Sequence, residues 1–204
     1  MRLAAVLLVA LLSLAGGSSP TPSRAAAAAS GAPRSILDLG DSLSLGTAPY
    51  LRARLSGYRI ARRYDVGLHA DDAAEAVAAA GAELPAVLVV SAGTNDDPRI
   101  VSTFIRAVAR VLRVAGAARC VVWPTIVRPP AVGASYEGLN RALTRAASRH
   151  RNLLLVDWVG MVRRNSSWQS ADGVHVSVAG YRARATAIAQ TVARSCPRAV
   201  RDPR

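Results

Sequence analysis

Residues 86–90, Ala-Val-Leu-Val-Val, form an unbroken apolar run that is mostly β-branched, with the glycine turn Gly93-Thr94-Asn95-Asp96 close behind it. A strand without polar alternation has to be covered on both faces, as happens inside a parallel sheet flanked by helices. Residues 35–39 repeat the pattern and run into Gly40-Asp41-Ser42, after which apolar spacing becomes helical through Leu51 and Leu55. Residues 120–123, stopped by Pro124, and 153–156 read as further strands, while the Arg-rich stretch 58–64 suits an edge strand. Helical spacing falls at 71–83, 100–114, 135–150 and 178–193. This alternation predicts one doubly wound, flavodoxin-like α/β domain of three layers with a mainly parallel sheet of about five strands. Ligands in such folds sit beyond the carboxyl ends of the strands. The polar residues to weigh are therefore Asp41-Ser42 and Asn95-Asp96.

The chain begins Met1-Arg2, continues with an apolar run over 3–15, and passes through Gly16-Gly17-Ser18-Ser19-Pro20 into a small-residue stretch at 25–29. That layout is expected of a cleaved secretory signal peptide over residues 1–30, leaving a single domain over 31–204 that starts to fold near Arg34. The apolar run is shorter than the about 20 residues of a comfortable membrane span, and the alternative is an uncleaved N-terminal anchor. In an exported chain, Cys120 and Cys196 read as a disulfide tying down the last helix, the alternative being two unlinked thiols. Neither cysteine has a histidine at metal-ligand spacing, so a structural zinc site is not expected, and the serine chemistry considered below calls for no metal and no cofactor.

All 26 basic residues are Arg, and the net charge is +13. Anionic partners such as cell-wall polymers or a membrane surface suit that charge. Nucleic acid does not, because aromatic residues make up only 4% of the chain and the Arg residues are scattered without a reading motif. The chain is expected to be a monomer.

A serine at a strand-to-helix turn carries an exposed hydroxyl beside free backbone N–H groups, which suits an acyl-transfer nucleophile, although a lone Asp-Ser before a helix is more often only a cap. Serine needs a base that is oriented by a third group. Of three histidines, His69 and His150 read as surface positions. His175 lies in Asp172-Gly173-Val174-His175, where Gly173 allows the carboxylate to fold back toward the imidazole, the alternative being a solvated His in a helix-entry turn.

Gly40-Asp41-Ser42-Leu43, Gly93-Thr94-Asn95-Asp96 and Asp172-Gly173-Val174-His175, in that order over nearly the whole domain, resemble the first, third and fifth sequence blocks of the SGNH (GDSL-like) hydrolases. The resemblance implies Ser42 as nucleophile and first oxyanion donor, Asn95 as a side-chain donor, His175 as base then acid, and Asp172 as its orienting carboxylate. The second-block glycine, also a donor, best matches Gly67, with Gly57 as competitor. A serine esterase acting on a small-molecule, polysaccharide or lipid ester is then expected. Short acyl or acetyl groups are favoured, since no long apolar lid segment is visible. Acyl transfer, lipase action and a non-catalytic carbohydrate-binding or cell-wall protein are the alternatives. Asp38, Asp41 and Asp96 are expected to organise turns; Trp123, Trp158 and Trp168 to line the cleft or pack; and Asn165-Ser166-Ser167 matches a glycosylation sequon.

Overall fold

The computed structural model describes residues 34–196. The expected signal segment, 1–30, lies outside the described residues. The first strand starts at Arg34, and the elements run β1 (Arg34–Gly40), α1 (Ser42–Arg54), β2 (Tyr58–Tyr64), α2 (Ala70–Ala80), β3 (Val87–Ser91), α3 (Val101–Ala115), β4 (Cys120–Pro124), α4 (Glu137–Arg149), β5 (Leu153–Val156), α5 (Trp158–Arg164) and α6 (Val178–Arg194). The strands form one sheet in the order β2-β1-β3-β4-β5, every pair parallel. The chain leaves β1 toward one side of the sheet for β2 and returns to its other side for β3. The switch point of the fold therefore lies at the carboxyl ends of β1 and β3.

Period-two alternation sorts the strand side chains to two cores. Leu39, Leu88, Val90, Val121 and Trp123 pack toward α2, α3 and α4, against Val77, Phe104, Val111, Leu139 and Leu143. Ile36, Val87, Val89 and Val122 pack toward α1 and α6, against Leu51, Leu55, Ile188 and Val192. Each such side chain contributes roughly 1.5–3 kcal/mol by leaving water. β3 is buried at every position, as its unbroken apolar run demands, whereas Arg59, Arg62 and Arg63 of β2 are exposed at the sheet edge.

The helix expected over 71–83 ends at Ala80 and tightens into a 3₁₀ turn at Gly81–Glu83. The one expected from 135 begins at Glu137, with Tyr136 as its N-cap, after a turn closed by a bridge between Ala131 and Ala134. α5 was not anticipated. It is seven residues long, too short to show helical periodicity, and is started by Asp157, whose side chain accepts from Gly160 N at 2.9 Å. No helix among the described residues is long and apolar enough to cross a membrane.

Cys120 and Cys196 form a disulfide between β4 and the end of α6, both buried, 76 positions apart in sequence. Closing so long a loop in the unfolded chain predicts that Cys120→Ala/Cys196→Ala lowers stability by about 2–4 kcal/mol. Urea unfolding of the oxidised protein and the double variant checks this; coincident midpoints would mean that the bond contributes nothing.

Candidate active site

Parallel register sets the site. Gly40 pairs with Tyr64 of β2 and with Ser91 of β3, so the three strands end at one level. Ser42, Gly67 and Asn95 follow those ends and occupy one edge of the sheet. Gly57 precedes Tyr58 at the opposite, amino-terminal edge.

Ser42 is the first residue of α1, and the helix is capped by Asp41, whose Oδ1 accepts from Leu43 N at 3.0 Å. The Ser42 hydroxyl is therefore not spent on capping. It lies 2.9 Å from His175 Nε2. On the other side of the ring, Nδ1 is 2.6 Å from Asp172 Oδ2. A carboxylate only accepts, so Nδ1 carries the proton and Nε2 is the basic nitrogen, able to accept from Ser42 Oγ–H.

Asp172 is itself fixed. Its Oδ1 accepts from Val174 N at 2.9 Å and from His175 N at 3.0 Å. The hydrogen bond from the His175 side chain, followed by that from Val174 N, holds its carboxyl down to about 2. The loop is closed by Ser170 N donating to His175 O at 2.9 Å and Ser177 N to Trp168 O at 2.7 Å. Gly173 has φ +67°, and a Cβ there would stand 2.5 Å from Pro129 Cγ, so only glycine permits this turn against its neighbour.

Asn95 Nδ2 donates to Leu68 O at 3.2 Å, and its Oδ1 accepts from Arg128 Nη1 at 3.3 Å, leaving one amide N–H without a partner among the described residues. The backbone N–H groups of Ser42 and Gly67 make no hydrogen bond among the described residues. Gly67 is exposed, with φ +86° in the turn that carries the chain from β2 to α2.

Behind Ser42 lies a buried polar layer. Arg184 of α6 is 2% exposed, donates through Nη2 to Ser91 Oγ at 2.7 Å, and has its Cζ 5.5 Å from the Trp158 ring centre. Its charge faces Asp41 and Asp38. Asp38 accepts from the Tyr64 hydroxyl, and burial pushes its carboxyl up to about 6. The folded protein thus keeps a proton there that the unfolded chain, at 3.8, has released. Stability is then lost as pH rises from about 4 to above 6, by roughly 3 kcal/mol at most. Asp41 and Asp96, both raised chiefly by burial, act in the same direction. Asp172, being lowered, removes stability only as pH falls below the unfolded value. Unfolding is therefore expected at higher denaturant near pH 5 than near pH 7.5, with Asp38→Asn flattening the slope. An unchanged slope in that variant would contradict the assignment to Asp38.

Asp96 does not organise its own turn. Its Oδ1 accepts from Ala70 N at 2.9 Å and lies 3.2 Å from His69 Nδ1, so it caps α2 from across the site. Its neighbour Asp97 pairs instead with Arg99 at 2.6 Å. His69 is exposed at the N-cap of α2, and His150 ends α4. Trp123 and Trp158 are fully buried, Trp123 donating to Ala92 O at 3.0 Å, and Trp168 stacks on Trp158 at 6.1 Å. These three rings pack. Two cavities, of about 270 Å³ between α1 and β2 and about 410 Å³ beside Asp96, are lined without Ser42 or His175. Asp172 and His175 are instead open to solvent, their side chains 49% and 42% exposed.

Sequence reasoning missed two residues of this neighbourhood. Arg184 has a sequence signal, since it stands in register with Ile188 and Val192 on the apolar face of α6. Arg128 has none: it lies in the irregular segment after β4 and is brought to Asn95 only by the fold.

A parallel 2-1-3-4-5 sheet between two layers of helices, with a hydrogen-bonded Ser–His–Asp chain at the carboxyl edge of its switch point, makes this a three-layer α/β domain of the doubly wound class. Residues 22–183 match the GDSL-like lipase/acylhydrolase family, and the chain belongs to that family of ester-acting hydrolases. Solved structures share the fold. The C-terminal catalytic domain of Streptococcus pneumoniae peptidoglycan O-acetyltransferase A is 19% identical, covering 85% of this chain and 98% of that one with a TM-score of 0.65. A lipolytic G-D-S-L family protein from Veillonella parvula is 15% identical, covering 78% and 98% with a TM-score of 0.66. A Clostridium thermocellum family 3 carbohydrate esterase is 16% identical, covering 82% and 96% with a TM-score of 0.60. No curated protein matches the sequence significantly.

Proposed function

We propose that the protein is a secreted serine esterase that hydrolyses short acyl or acetyl esters through an acyl-Ser42 intermediate. The observation that carries this reading is the continuous chain Ser42 Oγ–His175 Nε2 at 2.9 Å and His175 Nδ1–Asp172 Oδ2 at 2.6 Å. Ser42 Oγ attacks the ester carbonyl carbon while its proton passes to Nε2, and the carbonyl oxygen takes the negative charge. The N–H groups of Ser42 and Gly67 and the free amide N–H of Asn95 are its donors. The C–O bond to the alcohol then breaks, and Nε2–H protonates the departing oxygen. Water, deprotonated by His175, releases the acyl group by the same steps in reverse. No cofactor or metal takes part.

Exposure of Asp172 and His175 favours a small acyl group on a bulky alcohol, such as an acetylated cell-wall or plant polysaccharide, over a long chain sunk in a tunnel. Export is supported by the signal-like segment 1–30 and by the disulfide. A series of 4-nitrophenyl esters tests the acyl preference. Beside the solvent-open Asp172 and His175, methylenes added to the acyl group stay wet and gain little of the about 0.8 kcal/mol each brings when buried, so kcat/KM is expected to be highest for acetyl and butyryl esters. A steady climb to long chains would make the protein a lipase. Transfer to a sugar hydroxyl uses the same residues and is the alternative that the acetyltransferase of like fold keeps open. Acetylated oligosaccharide appearing in place of free acetate would select it.

A further inference from the structure

The segment between β4 and α4 touches both halves of the site. Arg128 Nη1 donates to Thr94 O at 2.6 Å and to Asn95 Oδ1 at 3.3 Å. Its Cζ lies 5.8 Å from the Tyr136 ring centre, and the Tyr136 hydroxyl donates to Asp96 O at 3.1 Å. Arg128 and Tyr136 together grip the turn that carries Asn95. The next residue, Pro129, is the wall against which Gly173 of the acid–base loop is pressed.

An asparagine amide has two orientations of nearly equal shape and opposite polarity. A guanidinium only donates, so beside Arg128 the amide must present Oδ1. A backbone carbonyl only accepts, so beside Leu68 it must present Nδ2. These two neighbours leave one orientation, and in it a single Nδ2–H has no partner among the described residues. Hydrogen bonding at Oδ1 also polarises the amide and makes that N–H a better donor.

We propose that Arg128 is a positioning residue for ester hydrolysis, acting through Asn95: it holds the amide so that its remaining N–H meets the developing oxyanion. The inference rests on the esterase reading with Asn95 as a donor. Losing Asn95 itself, as Asn95→Ala, is expected to lower kcat about 10²–10³-fold, and Arg128→Met, which leaves the amide present but free to turn, about tenfold with KM little changed.

A double-mutant cycle on 4-nitrophenyl acetate tests it, using Arg128→Met, Arg128→Lys, Asn95→Ala and the combinations. Arg128→Lys, which keeps a donor, should recover part of the loss. In the Asn95→Ala background the Arg128 substitution should alter kcat by no more than about twofold, because the group it acts through is gone. A tenfold loss that is the same with and without Asn95, or an undiminished kcat in Arg128→Met, would overturn the proposal. Should Arg128→Met fail to fold, the loss in Arg128→Lys must vanish in the Asn95→Ala background, and its persistence there has the same overturning force. Undiminished kcat in Asn95→Ala alone would instead remove Asn95 from the oxyanion site and take the underlying assignment with it.

Discussion

Ser42→Ala is expected to reduce 4-nitrophenyl acetate hydrolysis by about 10⁴–10⁶-fold. In the proposed mechanism the loss is that of the nucleophile, because His175 and the proposed oxyanion donors remain and sustain only the residual rate such sites give without one. Stability should hardly move. The cap of α1 is Asp41, through its bond to Leu43 N, so the Ser42 hydroxyl supports no helix terminus. Surface substitutions that touch no such feature change stability within about 0.5 kcal/mol. Activity and melting temperature thus separate the two roles open to a serine at this turn. A rate near that of the parent protein would reduce Ser42 to a structural residue and leave a non-catalytic protein with this fold.

Asp172→Asn is expected to lower kcat by about 10⁴-fold with the backbone of the loop unchanged. The substituted amide can keep its oxygen toward Val174 N and His175 N, which Asp172 now serves with Oδ1. Its NH₂ then replaces Oδ2 opposite His175 Nδ1, two donors cannot face one another, and the imidazole proton moves to Nε2. In that tautomer Nε2 has no lone pair for Ser42 Oγ–H. Because Asp172 is held near 2, it stays ionised throughout the usual assay range, and rate changes between pH 5 and 8 are not its own. A variant within tenfold of the parent rate would mean that His175 is oriented by something other than Asp172.

Parts of the fold that follow from short-range pattern were legible in the sequence. The unbroken run at 86–90 required burial on both faces, and β3 is central and wholly buried. The Arg residues of 58–64 required an edge, and β2 is one. α5 was not legible, because one and a half to two turns carry too few residues for a 3.6-residue period to show. The residues Ser42, Asp172 and His175 could be picked out because each stands in a compact local motif, and the structure places them in one hydrogen-bonded chain. Arg128 and Arg184 reach the same neighbourhood through tertiary packing, from an irregular segment and from a helix face, where no local spacing links them to Ser42. Asp96 shows the same limit: its turn was visible, but its partners, Ala70 and His69, lie across the site on α2.

The identity of the nucleophile is open to direct measurement. Treatment of the folded protein with a fluorophosphonate, followed by mass mapping of its peptides, should place one phosphonyl group on Ser42 and none on any residue of Ser42→Ala. Label on another serine, or label that persists in Ser42→Ala, would contradict the account.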